Sequence, residues 1–123
     1  MNSSNFSDTR NKIHFPDYHS ISISAESKEY LFDFIESINS KLEELEAAAL
    51  ACEKLNDPKE NLAVAKRVLH SIKGEAGIIG ISEIYEFCHI AESAFEELKL
   101  EELPDMLLNI KDWLYSAVDY LKQ

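Results

Sequence analysis

The 123-residue sequence predicts an all-α fold, an antiparallel four-helix bundle with an irregular N-terminal extension. Three observations predict it. Glycine and proline number only three each, too few for the many turns of a β-sandwich or barrel. From Leu31 onward, apolar residues recur at alternating spacings of four and three, the period of helices packed nearly parallel or antiparallel. With 46% hydrophobic and 28% charged residues, the chain is suited to one domain around one core.

Residues 1–22 are polar and rich in serine and asparagine, and are expected to form a loose extension. The first dozen should be loosest, while residues 13–24 could lie extended against the body. Residues 23–123 then form the bundle domain. The pattern turns helical at Ser24, and the first long segment carries the stripe Leu31, Ile35, Ile38, Leu42, Leu45, Ala49 and Cys52. Asn56-Asp57-Pro58 ends it; Asp57 can cap the next helix and Pro58 suits its first turn. The second segment repeats the spacing through Leu62, Ala65, Leu69, Ile72, Ala76 and Ile79, and stops at Gly80, which tolerates a left-handed cap. Ser82 is expected to cap the third, whose stripe is Ile84, Phe87, Ala91, Ala94 and Leu98. Pro104 opens the fourth, with Leu107, Ile110, Leu114, Ala117 and Leu121 inside and Trp113, Tyr115 and Tyr120 as core and boundary aromatics.

Twelve basic residues against 23 acidic ones leave a net charge of −11. That balance argues against nucleic acid, whose binding needs lysine and arginine at the phosphates, and against an anionic membrane surface. No apolar run approaches the roughly 20 residues of a spanning helix, and the N-terminus lacks the apolar stretch of a signal peptide. Cys52 and Cys88 fall within helical patterns beside apolar neighbours, as buried thiols of a reducing compartment. A cytoplasmic, monomeric protein is expected. No glycine-rich loop joins a strand to a helix, so the chain should bind no nucleotide or other cofactor. His14, His19 and Asp17 lie in the irregular tail without further ligands, and Cys88 and His89 point apart on a helix, so no metal site is expected.

The second helix is the unusual one. On a helical wheel its apolar stripe centres near Leu69 and Ile72, and His70 projects roughly 140° away from that centre. Lys66, Arg67, Lys73, Gly74 and Gly77 share this outward arc. A glycine inside a helix costs about 1 kcal/mol relative to alanine. Gly74 and Gly77, one and two turns from His70, strip side chains from the surface beside the imidazole and would let another protein approach it. Between Pro58 and Gly74, Lys59, Lys66, Arg67 and Lys73 face only Glu60, a basic island in an acidic chain. An accessible imidazole in a basic patch suits a group that carries phosphate.

The run His70-Ser71-Ile72-Lys73-Gly74-Glu75-Ala76-Gly77-Ile78-Ile79-Gly80 resembles the HxxKGxAxxxG motif of the histidine phosphotransfer (HPt) domain family at every fixed position. That family is a four-helix bundle with the active histidine on its second helix. Cys88-His89-Ile90-Ala91-Glu92 on the third helix is similar to the phosphotransfer domain of chemotaxis histidine kinases. The resemblance implies that Glu92 accepts a hydrogen bond from Nδ1–H of His70, leaving Nε2 to attack, and that His89 supports this network, although the wheel puts His89 on the far side of its helix. It implies a relay without its own kinase domain, in which His70 takes a phosphoryl group from a histidine kinase or a response-regulator receiver domain and passes it to a receiver aspartate. Lys73, with Lys66 and Arg67, would offset phosphoryl charge, and the partner would supply Mg²⁺. Two other readings stand beside it: a non-catalytic helical adaptor, and an N-terminal domain cut from a chemotaxis-type kinase. Met1 favours a natural N-terminus.

Overall fold

A computed structural model describes residues 15–55 and 58–123, apart from the side chains of 53–55 and 58. Among the described residues, four helices make up the bundle: α1 (Leu31–Leu55), α2 (Pro58–Ile79), α3 (Ser82–Ala94) and α4 (Leu103–Leu121). Three short 3₁₀ turns precede or join them, at Tyr18–Ser20, Ser27–Tyr30 and Leu100–Glu102. There is no strand among the described residues. No helix among them is long and apolar enough to cross a membrane.

The heptad-like stripes are the core. Ile38, Leu45, Leu69, Ile72, Ile84, Phe87, Leu107, Ile110 and Leu114 are fully buried. Burying each such side chain contributes about 1.5–3 kcal/mol. Val68, Cys88 and Phe34 join them from positions beside the stripes. Stripe residues at the helix ends, Leu31, Leu62 and Leu121, are only half-buried.

The ends differ from expectation in three places. Ser24 does not begin an α-helix: its backbone and hydroxyl oxygens accept from Ser27 N–H at 3.1 and 3.2 Å, and a 3₁₀ turn follows before α1 starts. Ser82 is not the cap of α3. Ile81 holds that position with no side-chain hydrogen bond, and the Ser82 hydroxyl reaches the Glu83 carboxylate at 3.4 Å instead. Helix α3 stops at Ala94, so Leu98 lies beyond it. The α2–α3 link is as expected: Gly80 takes φ +86°, and Ile81 N–H closes back on the Ala76 carbonyl at 2.9 Å. The Ser27 hydroxyl also donates to the Ile79 carbonyl at 2.7 Å, occupying one of the acceptors that a helix C-terminus leaves open. The expected cap Asp57 lies outside the described residues.

Helix α1 packs along both α2 and α4, and α2 along α3, whereas α3 and α4 meet only sparingly. The chain before α1 closes that seam. The Phe15 ring lies 4.7 Å from Phe87 of α3, which stacks on Trp113 of α4 at 4.0 Å and 5°. Trp113 Nε1 donates to the Pro16 carbonyl at 3.1 Å, and the Tyr120 hydroxyl to the His19 carbonyl at 3.0 Å. Ile21 is buried. Residues 15–22 thus lie against the body, as the sequence allowed for residues 13–24. Their aromatics fill a gap that the short α3 leaves, which no periodicity in the segment announces. Residues 1–14 lie outside the described residues.

Candidate functional site around His70

Leu69 and Ile72 are fully buried and fix the rotation of α2. His70, between them in sequence, is turned outward with 77% of its side chain exposed. A core histidine is excluded. One turn further on, Gly74 is open: a Cβ built there meets nothing within 4 Å. No packing contact requires glycine at that position, although it weakens the helix. Another turn on, Ile78 is 90% exposed. His70, Gly74 and Ile78 thus form one strip at i, i+4 and i+8, with the imidazole at one end and an apolar side chain at the other.

Glu92 reaches the site from α3. Its Oε1 lies 2.7 Å from Lys73 Nζ and its Oε2 3.8 Å from His70 Nδ1. The carboxylate thus faces Nδ1 and leaves that nitrogen beyond hydrogen-bond length. The direct Nδ1–H to Glu92 bond implied by the family resemblance is not made, because Lys73 holds the carboxylate. The close Glu92 carboxylate is also the main reason that the Lys73 pKa lies above its ordinary value. Cys88, one turn before Glu92, is fully buried, and burial pushes its thiol up to about 12, with the Glu92 charge adding to the effect. It stays protonated and unreactive at neutral pH. Neither Cys88 nor the buried Cys52 is in a disulfide.

His89 is not brought to His70. It is exposed and makes no hydrogen bond or ion pair among the described residues. Phe87, Cys88 and Ala91 set the buried side of α3, and at 100° per residue His89 falls nearly opposite it while Glu92 falls at its edge.

The basic island is also smaller than a count along one helix makes it. Arg67 pairs with Glu44 of α1 at 2.8 Å, and Lys73 with Glu92. Lys66 is exposed and unpaired among the described residues. Glu75 within the motif pairs with Lys41 of α1 at 2.8 Å, tying α2 to α1. These acids and bases belong to facing helices, so a wheel drawn for α2 alone cannot include them.

Gly77 is exposed, with one neighbour beside it among the described residues. The Tyr85 ring of α3 lies against it, its Cδ2 and Cε2 lying 3.5 and 3.7 Å from a Cβ built on the glycine. The same ring has Lys73 Nζ 5.9 Å from its centroid. Sequence reading misses Tyr85, yet a signal for it exists. Gly77 and Tyr85 lie almost equally far along the chain from the Gly80–Ile81 link, as do His70 and Glu92. In a tight antiparallel helix pair such positions face each other.

No group of three or more His, Cys, Asp or Glu side chains among the described residues could hold a metal ion. Asp17 and His19 bond to each other at 3.0 Å, and His14 lies outside the described residues. The site therefore offers an accessible imidazole with a carboxylate behind one nitrogen, a lysine across that carboxylate and an open strip alongside. Such an arrangement can act as a nucleophile toward a group delivered by another molecule.

A family model described as "Hpt domain" matches residues 29–120. No solved structure matches the chain.

Proposed function

Because the chain belongs to the Hpt domain family, whose members carry phosphoryl groups on histidine in phosphorelays, we propose that His70 is its carrier residue and that its partners are a histidine kinase and a response-regulator receiver domain. The observation that carries this reading is the pairing of an exposed His70 with a carboxylate behind Nδ1.

In the forward step, Nε2 of neutral His70 attacks phosphorus, either in an aspartyl phosphate of a receiver or in the γ-phosphate of ATP bound to a kinase. The N–P bond forms as the P–O bond to the departing carboxylate or ADP breaks. The ring, still protonated at Nδ1, becomes positive, and the Glu92 carboxylate on that side offsets the charge. Passage to a receiver aspartate runs the other way: a carboxylate oxygen attacks phosphorus, the N–P bond breaks, and Nε2 recovers its lone pair. Lys73, paired with Glu92, would offset charge on the phosphoryl oxygens, and Mg²⁺ held by the partner would supply further charge neutralisation. The open strip from His70 through Gly74 to Ile78 receives the partner's surface. The protein is thus a relay, acting as a cytoplasmic monomer, and draws its phosphate from elsewhere.

Labelling tests this. Incubated with a cognate kinase and ATP, the protein should take up acid-labile, alkali-stable phosphate at one site. His70→Gln should abolish uptake while stability stays within about 0.5 kcal/mol, as for other exposed positions. Normal labelling of this variant would remove His70 from the role.

A further inference from the structure

Tyr85 has no part in the chemistry above, and 46% of it is exposed. A tyrosine on the solvent side of a helix needs no partner, yet this ring has two. Its Cδ2–Cε2 edge lies against Gly77, 3.5 and 3.7 Å from a Cβ built on the glycine, which is ordinary van der Waals contact. Lys73 Nζ stands 5.9 Å from its centroid, inside the range at which a ring face attracts an ammonium. Lys73 and Gly77 are one helical turn apart, so a ring seated on the glycine stands beside the lysine. On its other side the same ammonium meets Glu92 Oε1 at 2.7 Å. Without these two neighbours, a four-carbon stem would let the charge wander through many rotamers.

We propose that Tyr85 is a positioning residue for phosphotransfer: packed against Gly77, its ring holds the Lys73 ammonium against Glu92, the carboxylate that faces Nδ1 of His70. This rests on His70 being the carrier. It gives Gly77 a different role from Gly74, the first a seat for a ring and the second an opening for a partner. The ring face does the work and the hydroxyl does not.

The test uses phosphoramidate as phosphodonor, so that no partner protein has to dock. His70 Nε2 displaces ammonia from phosphorus, and the rate of phosphohistidine formation is read directly. Tyr85→Leu should slow it about two- to fivefold, the rate equivalent of an exposed cation–π contact, and Tyr85→Phe should restore it. In a Lys73→Met background, Tyr85→Leu should change nothing further. The ε-methylene protons of Lys73 should lose an upfield ring-current shift in Tyr85→Leu and keep it in Tyr85→Phe. A Tyr85→Leu rate equal to that of the unsubstituted protein, or the same slowing in the Lys73→Met background, overturns the role of Tyr85. An unsubstituted protein that takes no phosphate on His70 overturns the carrier function itself. Circular dichroism of each variant separates both results from unfolding.

Discussion

The two long edges of α3 are built on opposite terms. Toward α2 it presents polar and partly exposed groups: Glu92 shared between Lys73 and His70, and Tyr85 resting on a glycine. Toward α4 it presents Phe87, sandwiched with Trp113 and Phe15 and covered by the chain before α1. The first edge keeps a histidine and a bare turn of helix in solvent, where neither adds to stability. The second closes a gap with stacked rings and two side-chain hydrogen bonds to backbone carbonyls. Chemistry and stability are thereby separated across one 13-residue helix. Substitutions at one edge should leave the other edge's property alone.

The largest expected effect is on the closed edge. Trp113→Ala removes the Phe87 stack and the bond to Pro16, and should lower unfolding stability by about 3–5 kcal/mol. Below its melting transition the variant should still label on His70. Trp113→Phe, which keeps a ring, should cost far less, and urea denaturation of the pair would separate stacking from the hydrogen bond. A labelling rate that falls with Trp113→Ala in still-folded protein would break the separation.

Alkaline pH tests the open edge next. Cys88 has its folded-state pKa raised to about 12, and that of Lys73 is raised by Glu92. Both groups hold protons in the folded protein that the unfolded chain releases. Their contribution is fully present below the unfolded values and is lost as pH rises through the folded ones. Stability should therefore fall from about pH 9, where the cysteine begins to ionise in the unfolded chain, toward pH 12. One such group sets a slope of at most about 1.4 kcal/mol per pH unit. Urea midpoints measured across that range should show it, and Cys88→Ala should flatten the part due to the thiol. A midpoint unchanged from about pH 8 to about pH 11 would mean that neither proton is held.

The smallest stability change is expected at Gly74, whose open surroundings accept a larger side chain. Gly74→Leu should raise helix stability by up to about 1 kcal/mol, since leucine is the better helix former. It should also slow transfer to a receiver at least tenfold, because the new side chain stands one turn from His70 on the docking strip. Labelling by phosphoramidate, which needs no docking, should change little. Equal slowing with both phosphate sources would mean that the introduced leucine disturbs the imidazole itself and that the strip is not a docking surface.

Much of the bundle was legible because a 3.5-residue spacing leaves only one way to bury Leu69, Ile72, Phe87 and Ile110 together. The outward direction of His70 was legible for the same reason, since its buried neighbours fix the helix rotation. The docked segment at residues 15–22 was less so. Phe15, Tyr18 and Ile21 sit in polar, aperiodic sequence, and their burial depends on how short α3 is and on the gap beside Trp113. The partners of Arg67, Lys73 and Glu75 were hidden because each lies on another helix.

The sequence alone determines the four stripes, the break at Gly80 and the exposure of an imidazole beside Gly74. These follow from local geometry, the 100° step of a helix and the freedom of a glycine to take positive φ. Only the tertiary structure decides that Lys73 and not His70 holds Glu92 at hydrogen-bond distance, that His89 is left in solvent, and that Tyr85 packs against Gly77. Those outcomes depend on how far apart two helices stand and how each is rotated about its axis. Both are set by the fit of the whole core between them, which no single stretch of the chain contains.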